Sequence, residues 1–330
     1  MAEIVLGLGT SHTPMLMSDD EDLDKFPEWD VIVARLDKEG RPSTFDKLLA
    51  EADPELKERV EFPKMQDRQN RVRAGITTIA SKCRAADLDA LIIVGDDQDE
   101  LFKDANRPAL AVYWGETIQS APKEEPRAPA WMEKQIKRLY EPEKPHSYPV
   151  ANDLALHLIT SLIDNDFDVA TSASLPGVDS EGHAFAYIHE HVMDKAKPVP
   201  IVPVLLNTYY RPNQPRPARC FALGQAIRRA VEAFPGKARV GILASGGLSH
   251  FMVDEDLDHL VIEALRTKNH EALKSIPRNK LQAGSSEILN WICVAGAVEH
   301  LPLHWVEYIP CYRTAAGTGT GITFAEWKAA

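Results

Sequence analysis

The sequence predicts an α/β protein: a single domain with a central, mostly parallel or mixed sheet flanked by helices, plus a helical insertion near residues 18–63. Three observations carry that prediction. Short apolar runs of strand character alternate with longer segments in which apolar residues recur at helical intervals. The first two runs, at residues 4–9 and 91–94, are joined by a crossover that holds a helix, which favours parallel pairing with a right-handed connection. At 330 residues, 44% hydrophobic and 26% charged, the chain has the apolar material for one sizeable core.

Taken in order, Ile4-Val5-Leu6-Gly7-Leu8-Gly9 reads as the first strand, which stops at Thr10-Ser11-His12-Thr13-Pro14. Residues 18–63 are polar and acidic, begin with Asp19-Asp20-Glu21-Asp22, and are punctuated by Pro42, Pro54 and Pro63. They read as short helices with little core of their own. Between 64 and 86, Val72, Ile76, Ile79, Ala80 and Cys83 recur at helical spacing and predict an amphipathic helix. Strands follow at 91–94 and 108–114. Residues 120–149, rich in Pro, Lys and Glu, read as a solvated loop with a short helix at 130–140. The alternation continues with a helix at 150–163, a strand at 167–172, a short helix at 182–193, a strand at 199–206, a helix at 218–233 and a strand at 240–244. Helices at 257–269 and 286–299 precede a last strand at 305–309 and a Gly-rich terminal loop.

Composition narrows the function classes. The net charge of -12, with no dense Lys/Arg block, argues against a nucleic-acid partner but leaves room for a local basic pocket. Cys83, Cys220, Cys293 and Cys311 form no CxxC pair and read as buried free thiols. The chain starts without a signal-peptide pattern and has no apolar run of membrane-spanning length, so a cytoplasmic protein with no membrane partner is expected.

The chemistry is expected at the strand ends. His12 projects from the turn after the first strand, unless it is a capping or packed histidine. The strand at 91–94 runs into Gly95-Asp96-Asp97-Gln98-Asp99-Glu100, either a site or a solvated acidic loop. The strand at 240–244 runs into Ser245-Gly246-Gly247-Leu248-Ser249-His250, where two glycines allow close backbone approach. Ala283-Gly284-Ser285-Ser286-Glu287 opens a helix, and Glu287 either serves a site or complements the helix dipole. One imidazole and one carboxylate could hold a divalent ion while a second imidazole moves protons. Imidazole with hard oxygen donors suits Fe(II) or Mn(II).

Ser11-His12-Thr13-Pro14, Gly95-Asp96-Asp97-Gln98, Arg219-Cys220-Phe221-Ala222-Leu223-Gly224, Gly246-Gly247-Leu248-Ser249-His250 and Gly284-Ser285-Ser286-Glu287 with Trp291 stand in the order found in one enzyme family. The chain resembles the LigB-type (class III) extradiol ring-cleaving dioxygenases, the family of the protocatechuate 4,5-dioxygenase β subunit. The resemblance spans nearly the whole length apart from the 18–63 segment. It implies a non-haem Fe(II) held by two histidines and a glutamate, with a further histidine as acid/base. By position, His12 and Glu287 are the first and carboxylate ligands and His250 is the acid/base. Gln98 stands where the second histidine ligand would be. A neutral amide oxygen is a weaker donor, so Asp97 or His183 is an alternative third ligand.

The segment Ile309-Pro310-Cys311-Tyr312-Arg313-Thr314 resembles the family's pocket lining. Arg313 would offer a planar fork to a carboxylate and Tyr312 and Thr314 hydroxyls, with His183 a further substrate contact. The implied partners are a small aromatic diol acid of the protocatechuate or gallate kind and O2. A homo-oligomer such as a dimer is expected, and the 18–63 segment is either an internal lid or a surface or dimer contact. Two other classes stay open: a hydrolase or lyase using a non-redox ion such as Zn(II), and a non-catalytic binding protein with a degenerate site.

Overall fold

Side chains alternate along each strand, so a sheet covered on both faces sorts its apolar residues into two layers. In the computed structural model, which describes residues 1–32, 35–124 and 128–329, strand Ala90–Asp96 is buried throughout. It sends Ile92 and Val94 into one layer and Leu91 and Ile93 into the other. Helices Asn152–Asp164, Pro217–Ala233 and Ile288–Ala297 fill the first layer. Helix Phe62–Ala85 and the short helix His183–Tyr187 fill the second.

Edge to edge, the main sheet runs His250–Met252, Thr318–Lys328, Glu3–Thr10, Arg239–Ser245, Ala90–Asp96, Ile201–Leu206, Leu110–Tyr113 and Ala170–Ser172. Strand Leu303–Tyr312 also pairs along Thr318–Lys328. Glu3–Thr10, Arg239–Ser245, Ala90–Asp96 and Ile201–Leu206 are parallel neighbours, whereas Thr318–Lys328 is antiparallel to its partners, so the sheet is mixed. Thr10 is registered with Ser245, and Ala244 with Val94. The carboxyl ends of three adjacent parallel strands therefore lie side by side, the position where open α/β sheets bind ligands.

The structure changes the predicted elements in four places. The 120–149 loop is bounded by paired strands, Thr117–Ser120 and His146–Pro149, with Ile118 and Tyr148 buried; the intervening Pro, Lys and Glu hid their short alternation. The predicted strand at 305–309 extends over Leu303–Tyr312, and the Gly-rich terminal loop is the 11-residue strand Thr318–Lys328. Glycine there serves close packing, since a Cβ on Gly321 would lie 2.2 Å from Asp258 Oδ2. His250 opens a three-residue strand that sequence periodicity did not signal. The 18–63 segment contains, besides helices Phe26–Ile32, Phe45–Glu51 and Leu56–Arg59, the strand pair Arg35–Leu36 and Pro42–Ser43. It is also tied to the core, because Phe26 is buried in the second layer. All four cysteines are free and buried, as expected. Among the described residues no helix is long and apolar enough to cross a membrane.

Candidate metal centre and active site

His12 lies two residues beyond the first strand and is buried. Its Nδ1 is 3.0 Å from Ser245 Oγ, and that hydroxyl donates to the Ala184 carbonyl at 2.7 Å. Having spent its proton, Ser245 must accept from His12 Nδ1–H, which leaves the Nε2 lone pair facing inward. His183, at the start of its short helix, is fixed in the same manner: Nδ1 donates to Glu100 Oε2 at 2.7 Å and its backbone N–H to Oε1 at 2.9 Å. The two Nε2 atoms face each other at 3.1 Å.

Two carboxylates complete the cluster. Glu287 Oε2 is 3.3 Å and Asp96 Oδ1 3.7 Å from His12 Nε2. Donor atoms of His12, Asp96 and His183 all lie within 4.8 Å of one another. Burial and the Glu287 charge push the Asp96 carboxyl up from its ordinary range. Burial would raise Glu287 too, but His250 and His12 hold it well below the usual carboxylate value. Burial opposes a charge on His183, yet Glu100 beside it lifts the imidazole to about 10. Two imidazole nitrogens facing each other at 3.1 Å need a cation between them or a shared proton, which the raised His183 supplies in the ion-free protein, and the buried carboxylates alongside stabilise either positive charge. The donor set thus fits a divalent ion that accepts nitrogen and oxygen ligands.

Gln98 reaches this cluster through its amide nitrogen, which donates to Asp96 Oδ2 at 3.0 Å and Glu287 Oε1 at 3.2 Å. Both partners are acceptors, so the amide oxygen is turned away from them. Asp97 is elsewhere: its carboxylate accepts from the Leu101 and Phe102 backbone N–H groups at 2.7 and 3.1 Å and caps the turn. His183 is therefore the one of the three alternatives whose free donor atom meets His12. Asp96, the last residue of its strand, went unrecognised in the sequence because it reads as one acid among several; its position next to a glycine at a strand end was the available signal.

His250 stands on the other side of Glu287, with Nε2 3.1 Å from Oε1 and Nδ1–H donating to the Leu248 carbonyl at 2.9 Å. Burial would lower its pKa, but the adjacent Glu287 carboxylate raises it. Close packing sets the ring's place, since a Cβ on Gly284 would fall 1.9 Å from its Cδ2. Gly246 turns the chain at φ 153° so that its backbone passes Glu287, and Gly247 N–H donates to Glu287 Oε2 at 2.7 Å. Trp291 Nε1 and Asn290 Nδ2 each donate to this turn at 2.8 Å, to Gly246 O and Ser245 O respectively.

A cavity of about 450 Å³ opens beside His250, walled by Phe26, Trp29, Tyr209, Phe251, Arg35 and Arg313 among others. The first two and Arg35 come from the 18–63 segment. Tyr312 does not line this cavity; its hydroxyl donates to Glu255 at 2.7 Å and Arg59 lies over its ring. Thr314 is buried against Thr318. Alternation along the strand explains Tyr312, which faces away from the side that carries Arg313.

The family described as the catalytic LigB subunit of aromatic ring-opening dioxygenase matches residues 53–323, which hold Asp96, Gln98, His183, His250, Glu287 and Arg313. The chain belongs to the LigB family. Most of the 18–63 segment and His12 lie outside the matched stretch. Gallate dioxygenase of Pseudomonas putida is 37% identical to this LigB protein over 106 residues, 31% of this chain and 30% of that relative. A 2,3-dihydroxyphenylpropionate/2,3-dihydroxicinnamic acid 1,2-dioxygenase of Comamonas testosteroni is 33% identical over 101 residues, and one of Mycobacterium sp. 37% identical over 101. The alignments span about a third of the length of these curated relatives.

Proposed function

We propose that this LigB protein is a metal-dependent extradiol dioxygenase that opens the ring of a catechol-type aromatic acid, protocatechuate- or gallate-like, incorporating both atoms of O2. The observation that carries this reading is the convergence of His12, His183, Asp96 and Glu287 beside a cavity at which His250 stands. In this reading His12 and Glu287 are ligands, His183 supplies the second imidazole, and Asp96 adds an oxygen donor. Gln98 then acts as a positioning residue that holds both carboxylates. The ion is Fe(II), with Mn(II) or Zn(II) as the alternatives the same donors accept. When bound, a redox-active ion would bring the diol and dioxygen together and let electrons pass from one to the other.

The residues do the remaining work. Ser245 and Glu100 hold the two imidazoles in the tautomer that aims Nε2 inward. The Leu248 carbonyl occupies His250 Nδ1–H, so Nε2, which rests 3.1 Å from Glu287 Oε1, is the atom left to take a phenolic proton from the diol and later return it. The aromatic walls exclude water from the ring, and Arg313, in the cavity wall, receives a substrate carboxylate.

Oxygen uptake and ring-opened product, measured on Fe(II)-loaded protein with catechols, gallate and protocatechuate, test this. Uptake matched to product supports the reading. Metal-loaded protein that consumes no oxygen with any of them overturns it, and turnover of a substrate under anaerobic conditions would place the protein among non-redox hydrolases or lyases.

A further inference from the structure

Asp30, on the 18–63 segment, is fully buried and shared by two guanidinium groups. One carboxylate oxygen pairs with Arg35, and the other accepts from Arg313 Nε at 2.8 Å and from Thr318 Oγ1. Arg35 and Arg313 are each only 6% exposed, so the group carries one uncompensated positive charge out of bulk water. Arg35 Nε has no hydrogen-bond partner among the described residues. Among them the Arg313 side chain forms no hydrogen bond other than that to Asp30. Both line the cavity beside His250. The other ionic groups of the wall are engaged or balanced: Lys280 pairs with Asp254 at 3.2 Å and Glu39 at 2.6 Å, and Asp37 pairs with Arg41. Lys38 is at the rim.

A buried cation pair with one counter-ion and an unmet donor is costly unless an anion completes it. The geometry says what else that anion carries. Phe251, the residue after His250, has its ring centroid 5.4 Å from Arg35 Cζ and 6.0 Å from Arg313 Cζ, and Arg313 Cζ is 5.2 Å from the ring of Phe26. A flat ring between these aromatic walls would have its anionic substituent at the guanidinium end and its opposite edge towards His250.

We propose that Arg35, delivered by the inserted segment, is the specificity-determining residue of this enzyme: with Arg313 it binds the carboxylate of the aromatic substrate. The proposal rests on the cavity being the substrate pocket, and it makes the insertion part of that pocket, because among the described residues the second guanidinium of the wall comes from it. A fork of donors bonds both oxygens of a planar carboxylate and meets its charge, whereas a neutral amide of the same shape offers one acceptor oxygen and no charge.

Benzoate cannot be ring-cleaved, so its binding reads the carboxylate end without the oxygen chemistry. Calorimetric titration of the full chain with benzoate, benzamide and acetate is expected to show benzoate at least roughly tenfold tighter than both others, the worth of a charge-assisted contact on an aromatic ring. Arg35→Gln should weaken benzoate by roughly 10- to 100-fold and erase its advantage over benzamide, and Arg35→Lys should retain part of it. Equal affinity of the wild type for benzoate and benzamide overturns the proposal, as does acetate binding as well as benzoate, or an Arg35→Gln protein with unchanged circular dichroism that keeps the benzoate preference. If Arg35→Gln does not fold, the wild-type comparison and Arg35→Lys decide. A preserved benzoate preference in a protein that never consumes oxygen would sink the ring-cleavage reading and leave this one standing.

Discussion

Gln98 donates to Asp96 and Glu287 where the resemblance would put an imidazole, so under the proposed function metal affinity would rest on His183 instead. His183→Ala is expected to lose stoichiometric metal in a chelator competition. Glu100→Gln, which removes the negative charge and one of the two oxygens that accept from the His183 ring and backbone, should cost roughly 10- to 100-fold in affinity. Gln98→Ala should cost less than His183→Ala, and a larger loss at Gln98 would make it a ligand after all. His250→Ala, at matched metal content, should lower oxygen uptake by roughly 100- to 10,000-fold, the range of a lost general acid/base. The local motifs announced His12, His250 and Glu287, because glycine turns and a helix start are written in adjacent residues. His183 and Asp96 had no such mark: one lies 171 positions from its partner imidazole, and the other is hidden among neighbouring acids.

Between elements, the placing of Glu287 depends on how closely two helices meet. Helices Pro217–Ala233 and Ile288–Ala297 cross through glycine: a Cβ on Gly224 would lie 1.8 Å from Cys293 O, and one on Gly296 2.1 Å from Phe221 O. Backbone cannot yield as a side-chain tip can, so Gly224→Ala should destabilise the fold by about 3 kcal/mol. Because Glu287 immediately precedes the second helix, the same change should weaken metal binding, read as a lower unfolding midpoint together with a lower metal content. Both helices were legible as apolar periodicities, but their glycine contact was not, since periodicity gives a face and says nothing of the distance to its partner. The 18–63 segment shows the same limit. Its polarity marked it as an addition, while Phe26, Trp29 and Arg35 in the cavity wall became visible only when the chain was folded back.

Across the molecule, the charges of the proposed centre link stability to pH in ion-free protein. Burial opposes both members of the Glu100–His183 pair, yet their contact holds Glu100 at about 2, against 4.5 ordinarily, and lifts His183 to about 10 from 6.5. A depressed acid stabilises above its unfolded pKa and loses that stability as pH falls; a raised base stabilises below its unfolded pKa and loses it as pH rises. The pair therefore contributes fully between about pH 4.5 and 6.5, fading towards 2 on one side and 10 on the other. Unfolding midpoints of chelator-treated protein across that range should show this plateau, and Glu100→Gln should flatten it. The order of apolar runs, their α/β alternation and the turns that end three strands were determined by the sequence itself, because strand and helix periods and glycine turns are properties of neighbours in the chain. Which side chains gather at the proposed ion site, and that a terminal Gly-rich stretch is a strand antiparallel to its neighbours in the sheet, were decided by the tertiary structure alone. Coordination and strand pairing join residues hundreds of positions apart, and only packing brings them to bonding distance.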